Sequence, residues 1–183
     1  MKLIIAITAA SGAIYARQVV EHAIADPKVE SIALIYSSSA REVVAYEGEQ
    51  IPHSPKVVEW SNDNLFATPA SGSANYDAMV IVPSSMGTVG RIATGVSDSL
   101  IARAADVMLK ERRKLIIVAR ETPLSLIHLR NLTTLTECGA VILPAAPSFY
   151  TKASTIEELA QTVSARAARM AGVECRVTEW QGK

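Results

Sequence analysis

The sequence predicts an α/β protein built on a doubly wound, mostly parallel sheet, a Rossmann-like or flavodoxin-like three-layer sandwich. Two observations carry that expectation. Short continuous apolar runs alternate with helical patterns, as in a parallel sheet covered on both faces. The runs are rich in Val, Ile and Leu and show no period of two, so each strand is buried on both sides.

Taken in order, the run Leu3–Thr8 is the first strand, and a helix over Ala13–Ala25 follows, stopped by Asp26-Pro27. A strand over Ile32–Tyr36 leads to a helix over Ser39–Tyr46. The stretch Gly48–Asn75 is the least regular, with Pro52, Pro55, Pro69 and the run Ser71-Gly72-Ser73; a short strand near Val57–Trp60 and a mobile loop are expected there. Then come strand Ala78–Pro83, helix Asp98–Glu111, strand Leu115–Ala119 and helix Pro123–Cys138, with Thr122 as its cap and proline at the first helical position. Strand Ala140–Leu143 and helix Thr155–Met170 complete the chain, the helix opening on a capping box of Thr155 and Glu158. Gly139 and Gly172 end the last two helices. No repeat, low-complexity tract or linker appears, so residues 1–183 read as one domain with a C-terminal tail from about 171.

Composition narrows the function. Of 183 residues, 49% are hydrophobic, and 18 basic residues balance 18 acidic ones. No global positive field recruits nucleic acid or anionic lipid, so an anion must be held by a local cluster. No apolar stretch is long enough to span a membrane. The start, MKLIIAITAASGA, imitates a signal peptide, but a single Lys2 and an Ile-rich run fit a buried strand better. Cys138 and Cys175 lie far apart and suit a reducing cytoplasm. Neither they nor His22, His53 and His128 cluster, so no metal site is expected.

In such sheets ligands sit beyond the carboxyl ends of the strands. The residues there are Ala9-Ala10-Ser11-Gly12, Ser37-Ser38-Ser39, Ser84-Ser85-Met86-Gly87-Thr88, Arg120-Glu121-Thr122, and Ala145 to Lys152 with Tyr150. Three of these five ends are small and hydroxylated and open helices, which makes an anion site of N–H and hydroxyl donors. A P-loop and a GxGxxG fingerprint are absent, so a mononucleotide with one phosphate, FMN above all, fits better than ATP or NAD.

Other residues leave two readings open. Arg120-Glu121 is either a functional pair at the sheet edge or a surface ion pair. Arg103 and Lys110 share a helix face with Asp106 between them, as a phosphate clamp or a salt-bridged surface. Arg166 falls on the stripe Ile156, Leu159, Val163 and Met170, which places a charge on the expected buried face or at its snorkelling edge. Tyr150 offers a hydroxyl to a phosphate or caps the core, and Glu47 is a catalytic carboxylate or an exposed helix end. Trp60 and Trp180 read as packing residues.

The blocks Ile7-Thr8-Ala9-Ala10-Ser11-Gly12-Ala13-Ile14-Tyr15, Ser84-Ser85-Met86-Gly87-Thr88, Arg103-Ala104-Ala105-Asp106 through Leu109-Lys110-Glu111-Arg112-Arg113, Arg120-Glu121-Thr122-Pro123-Leu124, Pro144-Ala145-Ala146-Pro147-Ser148-Phe149-Tyr150 and the closing Trp180-Gln181-Gly182 resemble the UbiX-type flavin prenyltransferases. The resemblance implies an enzyme that takes reduced FMN and dimethylallyl phosphate, joins the prenyl group to flavin N5 and C6 without a metal, and supplies prenylated FMN to a UbiD-type decarboxylase. It also implies a homo-oligomer, often a dodecamer, with sites at subunit interfaces.

Matched position by position, the resemblance assigns FMN contacts to Ala9, Ala10, Ser11, Ser37, Ser85, Met86, Gly87, Thr88 and Arg120. It assigns prenyl-phosphate contacts to Arg103, Lys110, Tyr150 and Arg166, and puts Glu47, Glu121 and Ser11 near the reacting flavin. Fixed cations stabilise charge on the departing phosphate, and a carboxylate moves a proton. Ala9 and Ala16 stand where the family commonly has glycine, and a methyl at Ala9 narrows the approach of backbone to flavin. Two other functions compete: a non-catalytic carrier of FMN or prenylated FMN, and an FMN-dependent cysteine-type decarboxylase. The second would want a Met-Asn segment and a histidine at a strand end, and neither is present.

Overall fold

The structure, a computed structural model, describes residues 1–176; the Trp180 reading and the block Trp180-Gln181-Gly182 lie outside them. Six strands form one sheet: β1 Lys2–Ile7, β2 Ser31–Tyr36, β3 Val57–Trp60, β4 Ala78–Ser84, β5 Lys114–Ala119 and β6 Val141–Pro144. All neighbours pair in parallel in the order β3-β2-β1-β4-β5-β6. The order reverses direction between β1 and β4, which opens a crevice beyond their carboxyl ends. The outer strands β3 and β6 have four residues each.

Six α-helices cover the sheet: α1 Ala13–Ala25, α2 Ala40–Tyr46, α3 Met86–Ala93, α4 Leu100–Lys110, α5 Leu126–Glu137 and α6 Ile156–Ala171. Side chains along β1 alternate between two cores. Leu3, Ile5 and Ile7 face α1, α2 and α6, and Ile4 and Ala6 face α3, α4 and α5. Each isoleucine here is essentially fully buried, and each contributes about 1.5–3 kcal/mol. The buried face of α6 is built of Ala160, Val163, Ser164, Ala167, Ala168 and Ala171, small residues that let it lie close on α1.

The strands agree with the sequence expectation to within a residue or two, and four details differ. Helix α3, which opens at the Ser84–Thr88 strand end, has no range of its own in the sequence reading; Ser85 caps it by accepting the Thr88 N–H. Helix α5 begins at Leu126 rather than at Pro123, because Ser125 and His128 form a reciprocal capping box. At α6, Thr155 caps Glu158 N–H, but the Glu158 carboxylate turns to the N–H and hydroxyl of Ser154 instead of completing a box. The stretch expected to be mobile is fastened to α4. Asn62 accepts the Leu100 and Ile101 N–H groups at 2.7 and 3.0 Å, Arg103 donates to Ala70 O, and Arg113 donates to Gly72 O and Asn75.

Candidate functional site

Thr8 fixes the floor of the crevice. Its buried hydroxyl donates to Pro83 O at 2.8 Å and accepts the Ser85 N–H at 2.8 Å, joining the ends of β1 and β4. The chain then turns sharply, with Ala10 N–H on Thr8 O, and enters α1 through Gly12 at φ +108°. The Tyr15 ring lies over Gly12; a Cβ there would sit 2.7 Å from it, so a side chain is excluded on two counts.

Between the ends of β1, β2 and β4 lies a cavity of about 270 Å³ lined by Ala9, Ser37, Ser38, Asn62, Ser85, Thr88, Arg91, Asp98, Ser99, Ile101 and Ala102. Ser37, Ser38 and Asn62 also line a neighbouring compartment of about 410 Å³ with Tyr36, Arg41 and Trp60. Ser85 and Thr88 bring hydroxyls to the first turn of α3, where the leading N–H groups lack intrahelical acceptors. Four sequence-predicted contacts, Ala9, Ser37, Ser85 and Thr88, therefore converge on one hydroxyl-rich cavity. Met86 is buried in the second core, so only its backbone is available to a ligand.

A second cluster forms at the amino end of α1. The Glu47 carboxylate accepts the Gly12 N–H at 3.0 and 3.1 Å, the Ala13 N–H at 2.7 Å, and the Ser11 hydroxyl. Burial pushes this carboxyl up, but those donors and the nearby Arg120 guanidinium outweigh it and hold it below the usual carboxylate range. Arg120 also faces Tyr15, whose phenol burial pushes up while Arg120 pulls it down. Glu47, Ser11 and Arg120 are thus neighbours. Glu121 is exposed and turns back on the Thr122 N–H, so it forms no pair with Arg120.

A third site is a cavity of about 1060 Å³ on the α6 side, lined by Tyr150, Lys152, Arg166, Arg169 and Arg176 among others, with Glu158 its acidic member. The Ser148 N–H donates to Thr162, which ties the loop carrying Tyr150 to the helix carrying Arg166. Arg166 is exposed to this cavity instead of lying on the buried face, because that face is made chiefly of alanines with Val163; Ile156 is itself exposed. Lys110 and Arg103 do not join Tyr150 and Arg166 within one chain. They sit on α4, on the opposite face of the sheet, where Lys110 pairs with Glu111 and Arg103 with Asp106.

Sequence reasoning missed Thr8, Tyr15, Asn62 and the cations Lys152, Arg169 and Arg176. Lys152 was legible as the end of the last strand's loop; Arg169 and Arg176 needed the direction of α6.

A flavoprotein family model matches residues 1–168. A flavin prenyltransferase UbiX of Thermoplasma acidophilum is 40% identical over 176 residues, covering 94% of this chain and 96% of its own. Among solved structures, a dodecameric FMN-dependent UbiX-like decarboxylase of Escherichia coli O157:H7 superposes with a TM-score of 0.92 at 35% identity, covering all of both chains. AnUbiX (PadA1), solved with FMN and dimethylallyl pyrophosphate, gives 0.86 at 39% identity, with 98% of each chain covered.

Proposed function

The chain belongs to the flavoprotein family, and on that premise we propose that it is a flavin prenyltransferase of the UbiX type. It transfers the dimethylallyl group of dimethylallyl phosphate to N5 and C6 of reduced FMN, and the prenylated FMN serves a UbiD-type decarboxylase. The observation that carries the reading is the coexistence of two anion sites of different character: a hydroxyl-lined cavity at the crevice and a cationic cavity on α6. A carrier that only held flavin would need one.

The crevice suits FMN in kind. Hydroxyls of Ser37, Ser85 and Thr88, the amino end of α3 and Arg91 suit a single phosphate, and Gly87 leaves the approach clear, with a Cβ there meeting nothing closer than Arg91 at 3.6 Å. Ala9, Ala10 and the Met86 and Gly87 backbone complete the set of contacts in this reading. When bound and reduced, the flavin supplies the nucleophilic N5 and C6 centres. The chain's part is to hold the partners together in a dry, oriented site and to balance charge.

Tyr150 and Arg166 hold the donor's phosphate, with Lys110 and Arg103 supplied by a neighbouring copy. Their location on opposite faces of the sheet supports that division, as does the dodecameric relative. These cations take up the charge that builds on the phosphate as the allylic C–O bond breaks. No divalent ion is required for that. Glu47, held as carboxylate, orients the Ser11 hydroxyl and accepts a proton through it; the Ala13 N–H, the Ser11 hydroxyl and the Gly12 N–H, with Arg120 behind them, keep that carboxylate charged. Glu121, exposed at the sheet edge and held by the Thr122 N–H, is the second proton-handling group.

Residues 1–183 act in this reading as one flavin-binding unit, supported by the single sheet on which all six α-helices pack. We assign it to the cytoplasm, supported by two free cysteines, Cys138 and Cys175. Anaerobic incubation with reduced FMN and dimethylallyl phosphate, followed by mass spectrometry of the released flavin, tests the activity. A flavin heavier by one five-carbon unit supports it, and unchanged FMN from folded, loaded protein refutes it.

A further inference from the structure

We propose that Arg17, which has no place in the sequence-derived site, is a positioning residue that sets the Glu47 carboxylate by gripping Glu49. Only the turnover arm of its test rests on the prenyltransferase reading.

Helix α2 ends in a Schellman motif. Glu47 is its cap, Gly48 takes φ +74°, the Gly48 N–H reaches Ala45 O at 3.1 Å, and the Glu49 N–H reaches Val44 O at 3.0 Å. This turn sends two carboxylates toward α1. The Glu47 carboxylate meets the N–H groups of Gly12 and Ala13, and Glu49 receives Arg17 Nε at 2.5 Å. Ala13 and Arg17 are four residues apart, so the two anchor points lie about 6 Å apart along one helix face. One anchor leaves a pivot. Two fix the direction of the turn and therefore of the Glu47 side chain.

The grip is shielded and stiff. The Arg17 side chain is 19% exposed and that of Glu49 17%, so the pair is more shielded than an ordinary solvent-exposed surface pair. Arg17 also binds Glu21 at 2.8 Å and Glu157 at the start of α6. Glu157 is held in turn by Gln18, itself buried, whose amide oxygen takes the Ser164 hydroxyl at 2.6 Å. A guanidinium that already has two carboxylates does not need a third to stabilise α1. The third is the one that leads to the site. A fork of five donors serves three carboxylates at once, and an ammonium serves them poorly.

The groups facing Glu47 are the Ser11 hydroxyl and the Gly12 and Ala13 N–H groups beyond β1, and Arg120 at the end of β5. Without Arg17, Glu49 is released to solvent and the Glu47 carboxylate slips from those donors.

The test uses the full chain with Arg17→Met, Arg17→Lys and Glu49→Gln. First, the Glu47 carboxyl is titrated in flavin-free protein by carbon-13 NMR, assigned by its loss in Glu47→Gln. In the parent it titrates below the usual range; in Arg17→Met and Glu49→Gln it should return toward that range, with partial rescue in Arg17→Lys. Second, Arg17→Met should lower kcat roughly tenfold or more while FMN affinity and the KM for the prenyl donor hold. Placed on Glu47→Gln, it should cost nothing further. An unmoved Glu47 titration in Arg17→Met overturns the proposal, as does a fully additive loss of turnover. If the titration moves but no protein, parent included, makes prenylated flavin, the functional reading fails and the positioning role stands.

Discussion

The Glu47 carboxylate takes the Ala13 N–H at 2.7 Å, so a residue at the end of α2 closes the amino end of α1 at the mouth of the crevice. The anion is matched to a helix terminus and to Arg120 at once.

Glu47→Gln keeps the size and removes the charge. Turnover should fall roughly 10²- to 10⁴-fold while FMN still binds, read by product mass and by flavin titration. Because the folded carboxyl lies below its ordinary value of 4.5, it stabilises the fold fully above that value. That contribution disappears as pH falls through the lower folded value. Thermal melts of the parent should therefore steepen in their acid limb below about pH 4.5 relative to Glu47→Gln.

Lys110→Ala and Arg166→Ala should each abolish turnover and leave FMN bound. Co-assembly of the two inactive proteins should then recover activity at roughly a quarter of the sites, if each site draws its two cations from different copies in random mixtures. Loss of FMN from either variant would put that residue in the flavin site. An inactive mixed assembly would put both cations in one copy's site, against the fold.

Gly12→Ala places a methyl 2.7 Å from the Tyr15 ring on a backbone at φ +108°. A destabilisation on the order of 1–3 kcal/mol in chemical denaturation is expected, with weaker turnover because the strained backbone moves the N–H at position 12 away from Glu47.

Thr8→Val is nearly isosteric but leaves Pro83 O and the Ser85 N–H without their hydroxyl partner. Stability should fall by about 1–3 kcal/mol, and FMN affinity should weaken because Ser85 is no longer fixed at the amino end of α3.

The sheet was legible because strands buried on both faces leave unbroken apolar runs, as Leu3 to Ile7 and Met79 to Val82 do. The extent of helix α3 was less so: a helix opening at Ser84–Thr88 is expected, but eight residues with Gly87 and Gly90 give no periodic stripe that bounds it. Thr122-Pro123 imitates a helix start, but Ser125 and His128 make the better cap three residues on. Of the two readings open for Arg166, its exposure fits the edge of the helix face and not the buried face. A stripe of Ile and Met suggested a buried face, whereas alanine packing against α1 decides it. The split of Lys110 from Arg166 has no local signal, since it depends on which side of the sheet each crossover takes.

The outer strands carry a last consequence. At four residues each, with β6 ending in Pro144, β3 and β6 expose little open hydrogen-bond ladder. Copies of this chain can be crowded together through exposed apolar side chains such as Leu126, Ile127 and Phe149 without their sheets running into one another. Short margins thus guard against the edge-to-edge stacking that builds cross-β fibres.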